Sequence, residues 1–278
     1  MSDIDLLAKK LFPNSQDCVR IIQITDTHLF GEPKGKLLGL DTRESLGAVM
    51  SRVRQEEIAP DIILVTGDLS QDASPESYEY LLKELQAFNI PSFWIPGNHD
   101  DPSIMSPILE GDNVYPQRRV LIGDWQIVLL DSSVRGKVYG HISEPQLEFL
   151  KNCLEQTDDK HSLIAMHHQP VKVGSDWLDN LGIRNADELF EAAANHHNHC
   201  CFLWGHVHQD FHGEKNGIEL ISTPSTCVQF KPGSQKFSAG DESPGYRYLT
   251  LHKDGTIDSV LHRITDVEFT VDYSIKGY

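Results

Sequence analysis

No stretch of the sequence approaches the roughly 20 consecutive apolar residues that a membrane-spanning helix requires. Nor is there a Cys-x-x-Cys pair, and the five cysteines, Cys18, Cys153, Cys200, Cys201 and Cys227, are odd in number. Buried free thiols in a reducing compartment are therefore expected, rather than a thiolate metal module or a disulfide framework. Basic charge is also scarce: 24 Lys+Arg stand against 41 Asp+Glu, a formal net charge of −17. A protein that grips a nucleic-acid backbone needs a basic face, so a nucleic-acid polymer is not the expected partner. A small anionic substrate remains compatible, because bound cations can outweigh the surrounding field locally. Residues 1 to 17 mix charged and apolar types without a continuous hydrophobic core, so they do not read as a signal peptide. Internal repeats and low-complexity linkers are lacking too. Together these absences describe a cytoplasmic protein with no membrane partner, and nothing specifies an oligomeric state. We expect one domain over residues 19–263, a short lead-in over 1–18 and a poorly patterned tail over 264–278.

What is present is a repeated grammar. Val19 to Thr25 is a nearly continuous apolar, β-rich run, the signature of a strand buried on both faces. Asp41 with Glu44 reads as a capping box, and Leu46, Val49, Met50 and Val53 follow at helical spacing to an expected end near Glu57. Asp61 to Thr66 is a second buried strand. Ser74 and Pro75 then open a second helix, with Tyr78, Leu81, Leu82 and Leu85 on its core face. Pro91 to Ile95 is a third strand. Strand, helix, strand, helix, strand is a βαβαβ unit, and right-handed crossovers make its sheet parallel.

Downstream, Arg119–Ile122 and Gln126–Leu130 flank Gly123-Asp124 as a hairpin. Ser143 with Gln146 and Asn185 with Glu188 read as helix starts. Ser162–Met166, Cys200–Trp204, Gly217–Ser222, Tyr246–Leu251 and Thr256–Arg263 read as further strands.

Polar residues collect where the buried strands end. The strand ends deliver Asp26 and His28, Asp68, Asn98 and His99, His167 and His168, and His206 and His208. In open α/β sheets, sites form outside the carboxyl ends of the strands, so these residues are expected to converge. His206 and His208 lie two apart, and in an extended chain they would face the same side. Carboxylate, amide oxygen and imidazole without thiolate suit Mn, Fe or Zn better than Ca or Mg. The set is too large for one tetrahedral ion and is about right for two ions sharing a carboxylate. His196, His197 and His199, at a helix end, read as surface.

The ordered set Asp26-x-His28, Gly67-Asp68, Gly97-Asn98-His99-Asp100, His167 and Gly205-His206-x-His208 resembles the signature of the calcineurin-like metallophosphoesterases. The stretches Ile24–Phe30 and Thr223–Pro232 narrow the resemblance to bacterial class III 3′,5′-cyclic-AMP phosphodiesterases, over roughly residues 19 to 263. The resemblance implies an α/β fold of four layers, an αββα sandwich of two mixed sheets flanked by helices. It implies two divalent metal ions, Fe, Mn or Zn, with Fe2+ or Mn2+ favoured. Asp26, His28 and His208 would hold one ion, Asn98, His167 and His206 the other, and Asp68 would bridge them. His99 would act as the acid near the phosphate, and His28, Asp68, Asn98, His99 and His208 would meet the nucleotide phosphate. His168 would stand behind the ligands.

The implied reaction is hydrolysis of cyclic AMP to 5′-AMP by in-line attack of hydroxide generated at the metal pair, which would lower cyclic AMP signalling. Two other readings stay open: a different phosphodiester or pyrophosphate, such as a glycerophosphodiester, and a catalytically silent scaffold. The ligand positions are all filled, which disfavours the scaffold. The stretch around Cys227 has no mechanism legible in the sequence.

Overall fold

The structure, a computed structural model, describes residues 11–12, 17–194 and 196–277, so most of the expected lead-in lies outside the described residues. The expected βαβαβ unit is present. Strands β1 (Cys18–Ile24), β4 (Ile62–Thr66) and β5 (Ser92–Ile95) pair in parallel, and helices α1 (Thr42–Val53) and α2 (Pro75–Gln86) make the crossovers. Two short strands, β2 (Lys36–Leu37) and β3 (Leu40–Asp41), form a separate ribbon ahead of α1. After β5 come helix α3 (Pro102–Met105) and β6 (Val114–Tyr115).

The second half contains β7 (Arg119–Ile122), β8 (Trp125–Leu129), α4 (Glu144–Gln156), β9 (His161–Ala165), α5 (Asp176–Asp179) and α6 (Ala186–Ala193). It continues through β10 (Cys200–Trp204), β11 (Phe211–Lys215), β12 (Ile218–Ser222), β13 (Gly245–His252) and β14 (Ile257–Arg263).

Two six-stranded mixed sheets result, in the orders β14-β13-β1-β4-β5-β6 and β11-β12-β10-β9-β8-β7. Strict alternation in the central strands creates three separate apolar layers. Ile21, Ile62, Leu64, Phe93 and Ile95 of the first sheet meet Ile127, Leu129, Leu163, Cys201 and Leu203 of the second. On the other face of the first sheet, Ile22, Ile24, Ile63, Val65 and Trp94 pack on Leu46, Val49, Met50 and Val53 of α1 and on Tyr78, Leu81 and Leu85 of α2. On the outer face of the second, Val128, Ile164, Phe202 and Trp204 pack on Leu147, Leu150 and Leu154 of α4 and on Leu189 and Phe190 of α6. Helix, sheet, sheet and helix are thus stacked as the resemblance implied. One polar group crosses the central layer: the Gln23 amide donates to Thr66 Oγ1 (2.8 Å) and to the Trp204 carbonyl (3.2 Å), and accepts from Thr223.

Several local expectations are corrected. Helix α1 stops at Val53 rather than near Glu57, because Arg54 to Glu57 offer nothing apolar to the core and the next hydrophobic residue, Ile58, is exposed. Asp41 does cap it, accepting from the Arg43 and Glu44 amides. Ser74 and Ser143 occupy helix starts without capping through their side chains. The Ser74 hydroxyl is taken by Asp72, and Gln146 accepts instead from the Asp131 amide. Asn185 likewise leaves α6 uncapped, exchanging hydrogen bonds with the Ile142 backbone.

Strand β11 was not expected, since Phe-His-Gly-Glu-Lys has no apolar alternation. The signal lay in Asn216-Gly217, with φ of 56° and 75°, a two-residue left-handed turn that joins β11 to β12. Nor is the histidine cluster plain surface: His196 and His199 are half-buried, bonding Ser162 Oγ and Glu219.

The layer assignment makes a stability prediction. Leu64 lies between the sheets and is fully buried, whereas Leu82, expected in the core, is only half-buried on the outside of α2. Leu64→Ala is expected to lower the unfolding free energy by about 2–5 kcal/mol in denaturant titrations. Leu82→Ala should cost clearly less, and equal losses would contradict the layering.

Candidate metal centre

The parallel strands of both sheets end at one edge of the sandwich, and the residues after them bend inward rather than continuing extended. Asp26, His28, Asp68, His206 and His208 all have positive φ, between 45° and 62°. Non-glycine residues rarely occupy this region, and such strain persists where the surroundings over-determine it. The expectation that His206 and His208 face one side of an extended chain is therefore wrong in its premise: the two left-handed residues turn the loop so that the rings diverge. Ladder-like backbone bonds hold the neighbouring loops, with Asp26 N–H donating to Gly67 O (3.0 Å) and His28 N–H to Asp68 O (2.9 Å). Close approach explains the glycines in two motifs. A Cβ on Gly205 would stand 2.0 Å from Thr25 Oγ1, and one on Gly67 would stand 2.4 Å from His167 Nδ1.

The side chains converge as two clusters joined by Asp68. In the first, His208 Nε2 lies 3.2 Å from Asp26 Oδ1 and 3.1 Å from His28 Nε2. In the second, His206 Nδ1 lies 3.2 Å from His167 Nε2. Asp68 Oδ2 reaches both, 3.9 Å from His28 Nε2 and 3.2 Å from His167 Nε2. Candidate ligand atoms of Asp26, His28 and His208 lie within 4.8 Å of one another, as do those of Asp26, Asp68 and His167.

The outer nitrogens reveal which ring nitrogen faces inward. His208 Nδ1 contacts the Val228 carbonyl (2.7 Å) and His167 Nδ1 the Thr66 carbonyl (2.9 Å). Carbonyls only accept, so both Nδ1 atoms carry the proton, and in the neutral rings the Nε2 lone pairs point into the centre. His28 Nδ1 does the same against Gln71 Oε1 (2.6 Å).

The donor set fits cations. Asp68 Oδ2, Asn98 Oδ1 and His206 Nε2 are buried without a hydrogen-bond partner. Each such atom costs about 1–3 kcal/mol when left unsatisfied. Lone pairs face lone pairs, an arrangement that a positive ion between them relieves. The electrostatics agree in direction. Burial pushes the Asp26 carboxyl up, but the His208 ring more than offsets it and holds the group below its ordinary value. Asp68 behaves the same way more strongly, with His167 and His99 prevailing over burial. Burial drives His28 down to about 3 and His206 well below the usual imidazole range. Neutral imidazole beside carboxylate is the state that binds a metal.

His167 goes the other way, up to about 9: burial lowers it, but Asp68 prevails. His168 is placed differently from the rest. Its ring lies 4.6 Å from that of His206, yet both its nitrogens are engaged, with Ser132 Oγ (2.8 Å) and the Val138 carbonyl (3.1 Å).

Several residues of the quoted motifs to which the sequence assigned no role support the ligands. Asp100 accepts from the Gly97, Leu69 and Ser70 amides and from the Tyr78 hydroxyl, so it clips the β4 and β5 end loops together. The stretch around Cys227 now has a purpose. Ser225 Oγ donates to the Asp26 carbonyl, Val228 orients His208, and the Phe230 ring stacks on His208 at 4.0 Å and 10°. Cys227 itself is a buried core residue in that brace.

Comparison with known proteins agrees with this geometry. A family model described as calcineurin-like phosphoesterase matches residues 19–210. The chain is 41% identical over 266 residues to the 3′,5′-cyclic adenosine monophosphate phosphodiesterase CpdA of Pseudomonas aeruginosa, covering 96% of this chain and 97% of that protein. It is 43% identical over 261 residues to the CpdA of Escherichia coli (strain K12), covering 94% and 95%. Among solved structures, a dimetal phosphatase from Danio rerio superposes with a TM-score of 0.61 at 17% identity over 90% of this chain and 100% of that one, a likeness of fold. By the extent of these matches, the chain belongs to the calcineurin-like phosphoesterase family.

Proposed function

We propose that this protein hydrolyses 3′,5′-cyclic AMP to 5′-AMP in the cytoplasm. What carries the reading is the junction at Asp68, a buried carboxylate between two histidine clusters, in a chain so similar to cyclic AMP phosphodiesterases. Asp26, His28 and His208 would hold one divalent ion, Asn98, His167 and His206 the other, with Asp68 shared. The donor mixture suits iron, manganese or zinc, and the family resemblance favours Fe2+ or Mn2+. When bound, such ions supply an acidified water near neutral pH and positive charge toward phosphate oxygens.

The chain's own residues do the rest. The carbonyls of Val228 and Thr66 and the Gln71 side chain keep three rings in the tautomer that presents Nε2 inward. Hydrolysis must break the P–O3′ bond, and O3′ then needs a proton. His99 is the group in position to give it: its amide is tied to Asp68 Oδ1 (2.8 Å), its ring stands edge-on to His28 at 5.1 Å, and it borders the cavities beside the centre. Five unpaired cysteines accord with a reducing compartment, and no described helix is long and apolar enough to cross a membrane.

The experiment that tests the activity is a substrate panel on protein stripped with chelator and reloaded with Fe2+ or Mn2+. Cyclic AMP should be turned over only after reloading, and faster than a glycerophosphodiester. Preference for the latter would replace this reading with the other diester. Asp68→Ala should lose both bound metal and turnover, and retention of metal at two per chain would sink the shared-carboxylate assignment. His99→Ala should keep its metal and lose about 10²–10⁴ in kcat on cyclic AMP. With a nitrophenolate leaving group the loss should shrink, and an equal loss on both substrates would remove His99 as the acid.

A further inference from the structure

Two cavities open on Asn98 and His99, and they differ in their aromatic lining. One, of about 510 Å3, is walled by Ala73, Pro102 and Val134 together with Asp101, Ser103 and Arg135, and by no tryptophan or phenylalanine. The other, of about 340 Å3, reaches His206 and is walled by Lys137, Val138, Trp177, Leu181 and Phe237. A cyclic nucleotide whose phosphate sits at the centre must send its base into one of them. A nucleobase is flat and presents a π face, which gains most against aromatic and aliphatic walls.

Trp177 is a prepared platform. Its indole N–H donates to Ser234 Oγ (3.1 Å), which fixes the ring about its long axis. The ring packs edge-on against Phe230 (5.2 Å, 68°) and Phe237 (5.3 Å, 69°). Phe230 in turn stacks on His208, so the platform is tied by direct contact to a candidate metal ligand. Nothing in the chemistry at phosphorus calls for these aromatic groups, and Trp177 is only half-buried despite its size. We infer that the Trp177–Phe237 cavity is the base subsite and that the nucleobase stacks on Trp177. The inference rests on the cyclic nucleotide reading above. It makes Trp177 a binding residue, felt in KM rather than in kcat.

Both binding and kinetics test it, on metal-loaded full-length protein. The other tryptophans, Trp94, Trp125 and Trp204, are buried, so a quench on ligand addition reports Trp177. 5′-AMP should quench the fluorescence and ribose 5-phosphate should not. In kinetics, Trp177→Ala should raise KM for cyclic AMP about tenfold or more with kcat within about twofold, from the typical strength of base–aromatic stacking. Trp177→Phe, which keeps a ring, should recover most of the loss. The baseless substrate methyl ribofuranoside 3′,5′-cyclic phosphate should have the same KM with wild type and Trp177→Ala. The inference fails if ribose 5-phosphate quenches as 5′-AMP does, or if KM rises equally for the substrates with and without a base. Should wild type not hydrolyse cyclic AMP at all, the proposed activity falls, and the pair of quench titrations alone decides the base subsite.

Discussion

Two buried carboxylates of like charge, Asp26 and Asp68, impose the terms on everything around them. Their ligand atoms lie within 4.8 Å of each other and of His167, and both groups are almost wholly shut off from water. Burying one carboxylate is costly, and burying two together adds repulsion. The structure answers on the outer side with donors. His206 N–H gives to both oxygens of Asp26 (3.1 and 3.0 Å), Thr25 Oγ1 adds a third bond (2.7 Å), and His99 N–H holds Asp68 Oδ1 (2.8 Å). On the inner side it supplies no donor from the backbone. It supplies the Nε2 atoms of His28 and His208, whose protons lie on Nδ1, and one protonated ring, His167, against Asp68. The outer bonds therefore stabilise the charge while the inner face sets one cationic ring against two carboxylates, and that shortfall is what makes the place a site for cations.

Such an arrangement needs a rigid frame, because it stores strain. Five of its residues sit at positive φ, a conformation worth of order 1–3 kcal/mol each. The frame is the pair of parallel sheet cores, whose strands end at one edge and whose three apolar layers fix them in register. Asp100 then ties two end loops, and Gln23 ties the two sheets just behind the centre. Gly67 and Gly205 are spaces rather than flexible joints, since any side chain there would occupy the volume of His167 or Thr25.

This division explains what the sequence disclosed. Candidate ligands were legible because the chemistry demands particular residue types and the fold demands strand ends, so both signals fall on the same short stretches. The sheet cores were legible through their uninterrupted apolar runs. The supports were not. Gln71 lies 43 positions from the ring it orients, Val228 acts through its carbonyl, and Phe230 through one stacked face. None of these depends on local pattern or on a tell-tale residue type. The caps that misled at Ser74 and Ser143 have the same origin: a nearby competitor, or a distant one, takes the hydrogen bond that local pattern assigns to the helix.

The same division separates reaction from selectivity. Ligands come from strand ends, where the sheets leave little freedom, and they see only a phosphorus centre and its oxygens. They are therefore indifferent to what the ester carries, and the competing diester readings cannot be told apart at the metals. The cavity walls belong to other segments: Arg135 and Val138 follow β8, Trp177 lies in the single turn of α5, and Phe237 lies between β12 and β13. Trp177 and Phe237 pack against the outer apolar layer rather than between the sheets. The Val138 carbonyl meets His168, whose ring lies 4.6 Å from that of His206, and Trp177 reaches back to the centre through Phe230 and His208. That contact makes the apolar cavity more than an incidental hollow: its wall is held in register with the atoms that would meet the phosphate, so a substrate's remote part and its reacting part are positioned by one connected set of rings.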